Sequence, residues 1–217
     1  MSESGTNPIR VVLLGPPASG KGTQGRRVAE VFGLAYLSTG ALLREHVENR
    51  TPLGREAKPI LDRGEYLPDE LMCDVIAGWL ERQSGGWVLD GFPRSLPQAE
   101  FLRRWMDRNG QSGHRAVFLD VPFSELLDRI KGRVECPDCR WSGQRSQLDE
   151  NGRCPKCGGP ASGREDDDER NFRSRYRQFE EFTLPAVDLY RNSNTLVSVD
   201  ATRAKDQVTR EIISAIR

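Results

Sequence analysis

Gly15-Pro16-Pro17-Ala18-Ser19-Gly20-Lys21-Gly22-Thr23 decides the fold of this chain. Ile9-Arg10-Val11-Val12-Leu13-Leu14 precedes it and reads as a buried parallel strand. A helical pattern follows through Val28, Val31 and Phe32. Strand, glycine-rich loop and helix in that order predict a phosphate-binding loop. Inward-turned backbone N–H groups form a nest for polyphosphate, and the helix adds the positive end of its dipole. Lys21 adds a mobile cation. Gly15, Gly20 and Gly22 permit the close backbone approach. A glycine-rich turn without a ligand is the plainer alternative, and the strand–loop–helix context argues against it. The hydroxyl comes not directly after Lys21 but one place later, at Thr23.

Outward from the loop, strand patterns recur at residues 35–37, 87–89, 117–121 and 196–199. Helical patterns lie at residues 21–32, 39–48, 53–62, 69–82, 96–107, 123–131, 168–191 and 205–215. This alternation predicts an α/β fold, a parallel sheet with helices on both faces. Ligands bind beyond the carboxyl ends of such strands, so the loop and Asp90 are expected at one site. Two stretches interrupt the alternation. Residues 38–67 are helical without a strand, and residues 132–167 are poor in apolar residues and rich in Gly, Pro, Cys and charge. Both read as inserts mounted on a core formed by residues 1–37, 68–131 and 168–217.

The chain has 217 residues, 36% of them hydrophobic, enough for one sizeable core. Its 32 basic and 32 acidic residues balance, so no general affinity for nucleic acid or anionic membrane follows. The apolar runs are far short of a membrane span. Residues 1–8 are polar and read as a frayed tail without a signal core. With no disulfide-rich pattern, a cytoplasmic home is expected.

Cys136-Pro-Asp-Cys139 and Cys154-Pro-Lys-Cys157 are separated by fourteen residues. Two such knuckles can place four thiolates around one metal. Zinc fits a closed, structural four-cysteine site best, in a segment with little core of its own. Disulfides, a redox pair and an iron–sulfur cluster are the competing readings. Cys73, among Leu71, Val75, Ile76 and Trp79, reads as a small core residue.

The ordered blocks give the sequence a specific likeness. They run from Gly15–Gln24 through Ser38-Thr39-Gly40-Ala41-Leu42-Leu43-Arg44 and Leu89-Asp90-Gly91-Phe92-Pro93-Arg94 to Pro97-Gln98-Ala99. Asp128-Arg129-Ile130-Lys131-Gly132-Arg133, the four cysteines and Arg164-Glu-Asp166-Asp167 follow. Together they resemble the adenylate kinases of the bacterial long-lid type, from about Ile9 to about Ile212.

The resemblance implies the reaction ATP + AMP ⇌ 2 ADP with Mg2+, and a structural Zn2+. It implies that Ala18, Ser19, Gly20, Lys21, Gly22 and Thr23 wrap the ATP phosphates. Arg129, Arg133, Ser142, Gly143 and Arg203 would complete the ATP site, Arg203 through its backbone. Thr39, Arg44, Glu65, Tyr66, Leu67, Gly91, Phe92, Pro93, Arg94 and Gln98 would hold AMP. Arg164 and Arg175 would reach the transferred group, and Asp90 would hold magnesium through water. Residues 38–67 would be the monophosphate-binding insert, and residues 132–167 the lid, with Gly132 and Gly163 as hinges. A cytoplasmic monomer without nucleic-acid or membrane partners is the implied working form. Departures from the family pattern are Ala18, Ala41, Val134, Arg140-Trp141-Ser142-Gly143 and Ala201. Thr39 and Gln98 speak for AMP over UMP or CMP. A zinc-ribbon nucleic-acid module on an ATP-binding core is the reading from another class, and the acidic run 165–169 speaks against it.

Overall fold

A computed structural model describes residues 8–111, 113–164 and 167–217. The expected tail, Pro8 apart, and Glu165 and Asp166 of the acidic run lie outside them. Five strands form one parallel sheet: β1 (Arg10–Leu14), β2 (Ala35–Ser38), β3 (Trp87–Asp90), β4 (Arg115–Asp120) and β7 (Leu196–Asp200), in the order β2-β3-β1-β4-β7. Register brings the strand ends together: Leu13 pairs with Asp90, and Ser38 also pairs with Asp90. The phosphate loop, Asp90 and the 38–44 block therefore share one edge of the sheet, as the alternation predicts.

Helices cover both faces. One face buries Ile76, Leu80, Trp87, Leu102 and Val187, drawn from α4 (Asp69–Leu80), α5 (Leu96–Arg108), α8 (Leu184–Asn192) and β3. The other buries Val28, Leu126, Phe172 and Ile212, from α1 (Lys21–Phe32), α6 (Phe123–Lys131), α7 (Glu169–Gln178) and α9 (Lys205–Ile216). Side-chain caps fix several starts: Ser95 accepts from the Gln98 N–H, and Asp168 from the Asn171 N–H.

The first insert is a helical hairpin, α2 (Thr39–Glu48) and α3 (Pro52–Leu61). Gly54 lets the helices touch; a Cβ there would lie 1.9 Å from the His46 carbonyl oxygen. The second insert carries a short antiparallel pair, β5 (Arg133–Glu135) and β6 (Ser142–Gln144).

One expectation needs correction. The pattern over 168–191 predicts a single helix, but α7 and α8 are separated by a π-helical turn, Phe179–Thr183. Pro185 has no N–H to continue the regular ladder, and the Leu184 N–H reaches back five residues to the Phe179 carbonyl. The slipped turn delivers the Thr183 hydroxyl to the Arg94 carbonyl at 2.9 Å.

Candidate active site

The strand ends open into a cleft of about 450 Å³. Its described walls carry ten basic residues, Lys21, Arg26, Arg44, Arg94, Arg129, Arg133, Arg164, Arg175, Arg203 and Lys205, against the acids Asp90 and Glu135. A chain of zero net charge has gathered ten of its 32 Lys and Arg residues around one cavity, a surface that suits a polyanion.

Lys21 opens α1 and folds back over the loop, donating to the Gly15 and Pro16 carbonyls at 2.8 Å each. Protein crowds it from all sides, yet it keeps partial exposure to the cleft. Burial pushes its ammonium down to about 7; the Asp90 charge opposes this, and Arg94, Arg175 and Arg133 each lower it further by less. Ala18 holds φ 65°, a left-handed backbone that glycine adopts more easily. That is the cost of the alanine in the loop. Gly20 also lies there, at φ 98°.

Arg129 clamps the loop. It donates to the Ser19 carbonyl at 3.4 Å and the Ala201 carbonyl at 2.7 Å, and pairs with Glu125. Arg203, also at the cleft wall, ion-pairs with Asp200 and Glu211.

On the opposite wall Arg94 donates to the Gly91 carbonyl at 2.8 Å and to the Thr39 hydroxyl at 3.3 Å. Tyr66 stacks on its guanidinium at 4.8 Å. Gln98 accepts from the Arg94 N–H and donates to Asp69, both at 2.7 Å. Each end of that amide retains capacity for one more bond. Thr39, Glu65, Tyr66, Leu67, Gly91, Arg94 and Gln98 meet around a second cavity of only about 20 Å³. That is room for about one water. Arg44 and Pro93 line the main cleft. Phe92 corrects an expectation: it is fully buried, edge-on to Phe101, and lines neither cavity.

From the second insert, Arg133, Glu135, Ser142, Gly143 and Arg164 face the cleft. Arg133 makes a two-pronged pair with the buried Asp167, whose carboxylate also lies 4.0 Å from Arg175. Arg164 lies 3.5 Å from Glu135. Val134 stands where the family pattern has a second arginine, and it is fully buried inside the insert. Arg140 and Trp141 do not line the cleft. Trp141 instead packs over Gly143.

Cys136, Cys139, Cys154 and Cys157 bring their sulfurs within 4.8 Å of one another, with two pairs at 3.6 Å. Sulfurs bound at ~2.3 Å to a tetrahedral centre stand ~3.8 Å apart, so the cluster fits zinc. Both knuckles repeat one backbone pattern. The Cys136 and Cys154 N–H groups donate five residues ahead, to Trp141 and Gly159. The Arg140 and Gly158 N–H groups return to Cys136 and Cys154. Both returning residues are left-handed, Arg140 at φ 58° and Gly158 at φ 71°. Asp90 offers hard oxygen donors at the cleft, which suits magnesium held through water.

Sequence patterns gave no role to Tyr36, Arg26, Glu135 or Thr183. Tyr36 donates to Asp90 at 2.8 Å. Burial and the Asp90 charge push its phenol far above the ordinary value, so it stays a donor.

Comparison with known proteins now decides the family. The adenylate kinase family model matches residues 13–195. The chain belongs to the adenylate kinase family. An adenylate kinase of Clostridium novyi (strain NT) is 37% identical over 215 residues, 96% of this chain and 98% of that protein. One of Thermodesulfovibrio yellowstonii is 38% identical over 212 residues, 96% and 99% of the two chains. One of Archaeoglobus fulgidus is 38% identical over 208 residues, 94% and 96%. The match extends across both inserts, so family membership rests on the whole architecture and not on the phosphate loop alone.

Proposed function

We propose that this chain transfers the terminal phosphoryl group of ATP to AMP, giving two ADP, and reverses the reaction. The carrying observation is the cationic cleft bounded by the phosphate loop on one wall and Arg94 with Arg44 on the other. An AMP phosphate oxygen attacks the γ-phosphorus of ATP, and the bond from that phosphorus to the β–γ bridging oxygen breaks. The electron pair leaves on ADP. Such a transfer asks the protein for positioning and charge neutralisation.

The phosphate loop, residues 18–23, holds the donor's phosphates, with Lys21 at the β–γ junction. Arg129, Arg203, Ser142 and Gly143 border the donor base. Arg44 and Arg94 hold the acceptor phosphate. Thr39, Gln98 and residues 65–67 border its base, with Gly91 and Pro93 beside them. Arg133, Arg164 and Arg175 surround the group in flight, where exclusion of water strengthens each contact. Magnesium supplies charge neutralisation on the phosphate oxygens, and Asp90 is its holder through water. Residues 38–67 act as the acceptor insert and residues 132–167 as the lid. The four thiolates hold zinc, which ties the lid's loops together and takes no part in the chemistry. The enzyme works as a monomer in the cytoplasm. No helix among the described residues is long and apolar enough to cross a membrane.

A coupled assay of ADP formation across AMP, CMP, UMP and GMP tests the reading. AMP is expected to exceed the others by at least tenfold in kcat/KM, because a site built to hydrogen-bond one base leaves polar groups unpaired with another. Equal rates with CMP or UMP defeat the acceptor assignment.

A further inference from the structure

We propose that Glu135, Arg26 and Tyr36 form a positioning latch that fastens the lid over the phosphate loop; the proposal rests on the phosphotransfer reading of the cleft. A carboxylate is out of place in a cavity shaped for polyphosphate, since it repels the ligand. Glu135 is nevertheless turned into it. Side chains alternate along a strand, so Arg133 and Glu135 share the cleft face of β5 while Val134 points into the lid's own interior.

The Glu135 carboxylate stands between cations from both sides of the cleft. Arg164, at the far end of the lid, lies 3.5 Å from one oxygen. Arg26, on α1, lies 3.9 Å from the other. The three side chains are 18%, 17% and 32% exposed, so solvent screens them only partly. Arg26 is itself supported. Its guanidinium lies over the Tyr36 ring, 5.5 Å from the centroid, and the Tyr36 hydroxyl is bonded to Asp90. The ring rests on the bare backbone of Gly25, where a Cβ would come within 2.6 Å of it. At Gly22 the Arg26 guanidinium and the Asp90 carboxylate each come within 3.5 Å of where a Cβ would stand. A continuous chain of contacts thus runs from Asp90 on the cleft floor, through Tyr36, Arg26 and Glu135, to Arg164 in the lid.

Such a bridge favours the closed lid without touching the reacting atoms. Its loss weakens nucleotide binding, while turnover stays level or rises if lid opening limits product release. The test uses the full zinc-loaded chain and the variants Glu135→Gln, Arg26→Ala, their double and Arg26→Lys. Two quantities are read: kinetics with ATP and AMP, and amide hydrogen exchange across residues 136–157 without nucleotide. Each single substitution is expected to raise KM for ATP and lid exchange by about two- to fivefold, the range for a partly screened ion pair. In neither is kcat expected to fall. The double variant is expected to be no worse than the worse single, and Arg26→Lys to recover most of the loss.

Additive effects in the double variant overturn the latch. So do singles that leave KM and exchange unchanged, or a fall in kcat at constant KM. If wild type forms no ADP from AMP, the phosphotransfer reading fails, and hydrogen exchange still decides the latch. Should Glu135→Gln not fold, Arg26→Ala and Arg26→Lys read the same bond from its other end.

Discussion

Raising the pH from 6 to 8 is expected to change the number of protons this protein takes up when it binds a nucleotide triphosphate. The source is Lys21. Without a bound anion, burial and three nearby arginines hold its ammonium at about 7, well below the ordinary 10.5. A triphosphate in the loop surrounds Lys21 with anionic oxygens and restores an ordinary affinity for the proton. Between the two values the complex holds a proton that the free protein lacks, so binding consumes one. At pH 8 about nine in ten free molecules carry neutral Lys21, and uptake approaches ~0.9 proton; at pH 6 it falls to ~0.1. Affinity accordingly drops about tenfold, or ~1.4 kcal/mol, for each pH unit above 7. The sign of folding stability runs the other way. A lysine depressed in the folded state costs stability below its folded value, and that cost is relieved as pH rises from 7 towards 10.5. The nucleotide-free protein therefore gains stability over the range in which it loses affinity. Calorimetry with a non-hydrolysable ATP analogue, in buffers of different ionisation enthalpy at pH 8 and above, counts the protons. At those values the triphosphate is already fully ionised. Lys21→Met is expected to bind weakly and take up none. Uptake below ~0.2 proton at pH 8, or equal uptake in Lys21→Met, refutes the reasoning.

Arg133→Ala is expected to lower kcat by about a hundredfold or more and to change AMP affinity little, because its contact forms on the group in flight. Normal kcat with raised KM makes the lid a grip only. Purified under reducing conditions, the protein is expected to hold one zinc per chain by elemental analysis, and Cys154→Ser to lose it while Cys73→Ser does not. Arg140→Gly is expected to stabilise the lid against chelator by ~0.5–1 kcal/mol, the left-handed penalty less the entropy of an added glycine. Gly158→Ala, at the matching place in the other knuckle, is expected to weaken it. His114 is pushed down to about 4 by burial and by Arg10, so the unfolded chain binds its proton first as pH falls. Urea midpoints are expected to fall between pH 6.5 and 4, by up to ~3 kcal/mol of stability, and His114→Gln to flatten that slope.

The parts of this molecule that were legible in sequence are those whose chemistry is local. The phosphate loop needs consecutive small residues, and the knuckles need cysteines three apart, so both are written contiguously. The cores of the sheet and its helices follow from periodicity, and the strand ends converge because parallel topology leaves no other place. The slipped turn at Phe179–Thr183 was not legible, because a proline at 185 is also compatible with a simple kink. Phe92 looked like a binding residue because it sits inside a binding motif, yet the backbone turns its ring into the core. The small second cavity was invisible too, since residues from α2, α3, α4, α5 and two loops converge to set its width.

The acids of the cleft are the hardest to read from sequence and the most informative in structure. Nine basic residues besides Lys21 around one cavity cannot be packed together without counter-charge, since each raises the cost of the next. The fold answers with carboxylates drawn from near and distant segments. Asp167 serves Arg133 and Arg175, Glu135 serves Arg164 and Arg26, and Glu125 serves Arg129. None of these pairings has a sequence spacing that marks it as functional, because i,i+4 neighbours and residues 34 or 109 positions apart are used alike. Their consequence is structural before it is chemical. An arginine paired with a carboxylate is held near the cleft and partly stripped of water, so it loses less side-chain freedom when an anion arrives. The pairs that join the second insert to the rest of the chain, Asp167 with Arg175 and Glu135 with Arg26, do this across segments that no local pattern links.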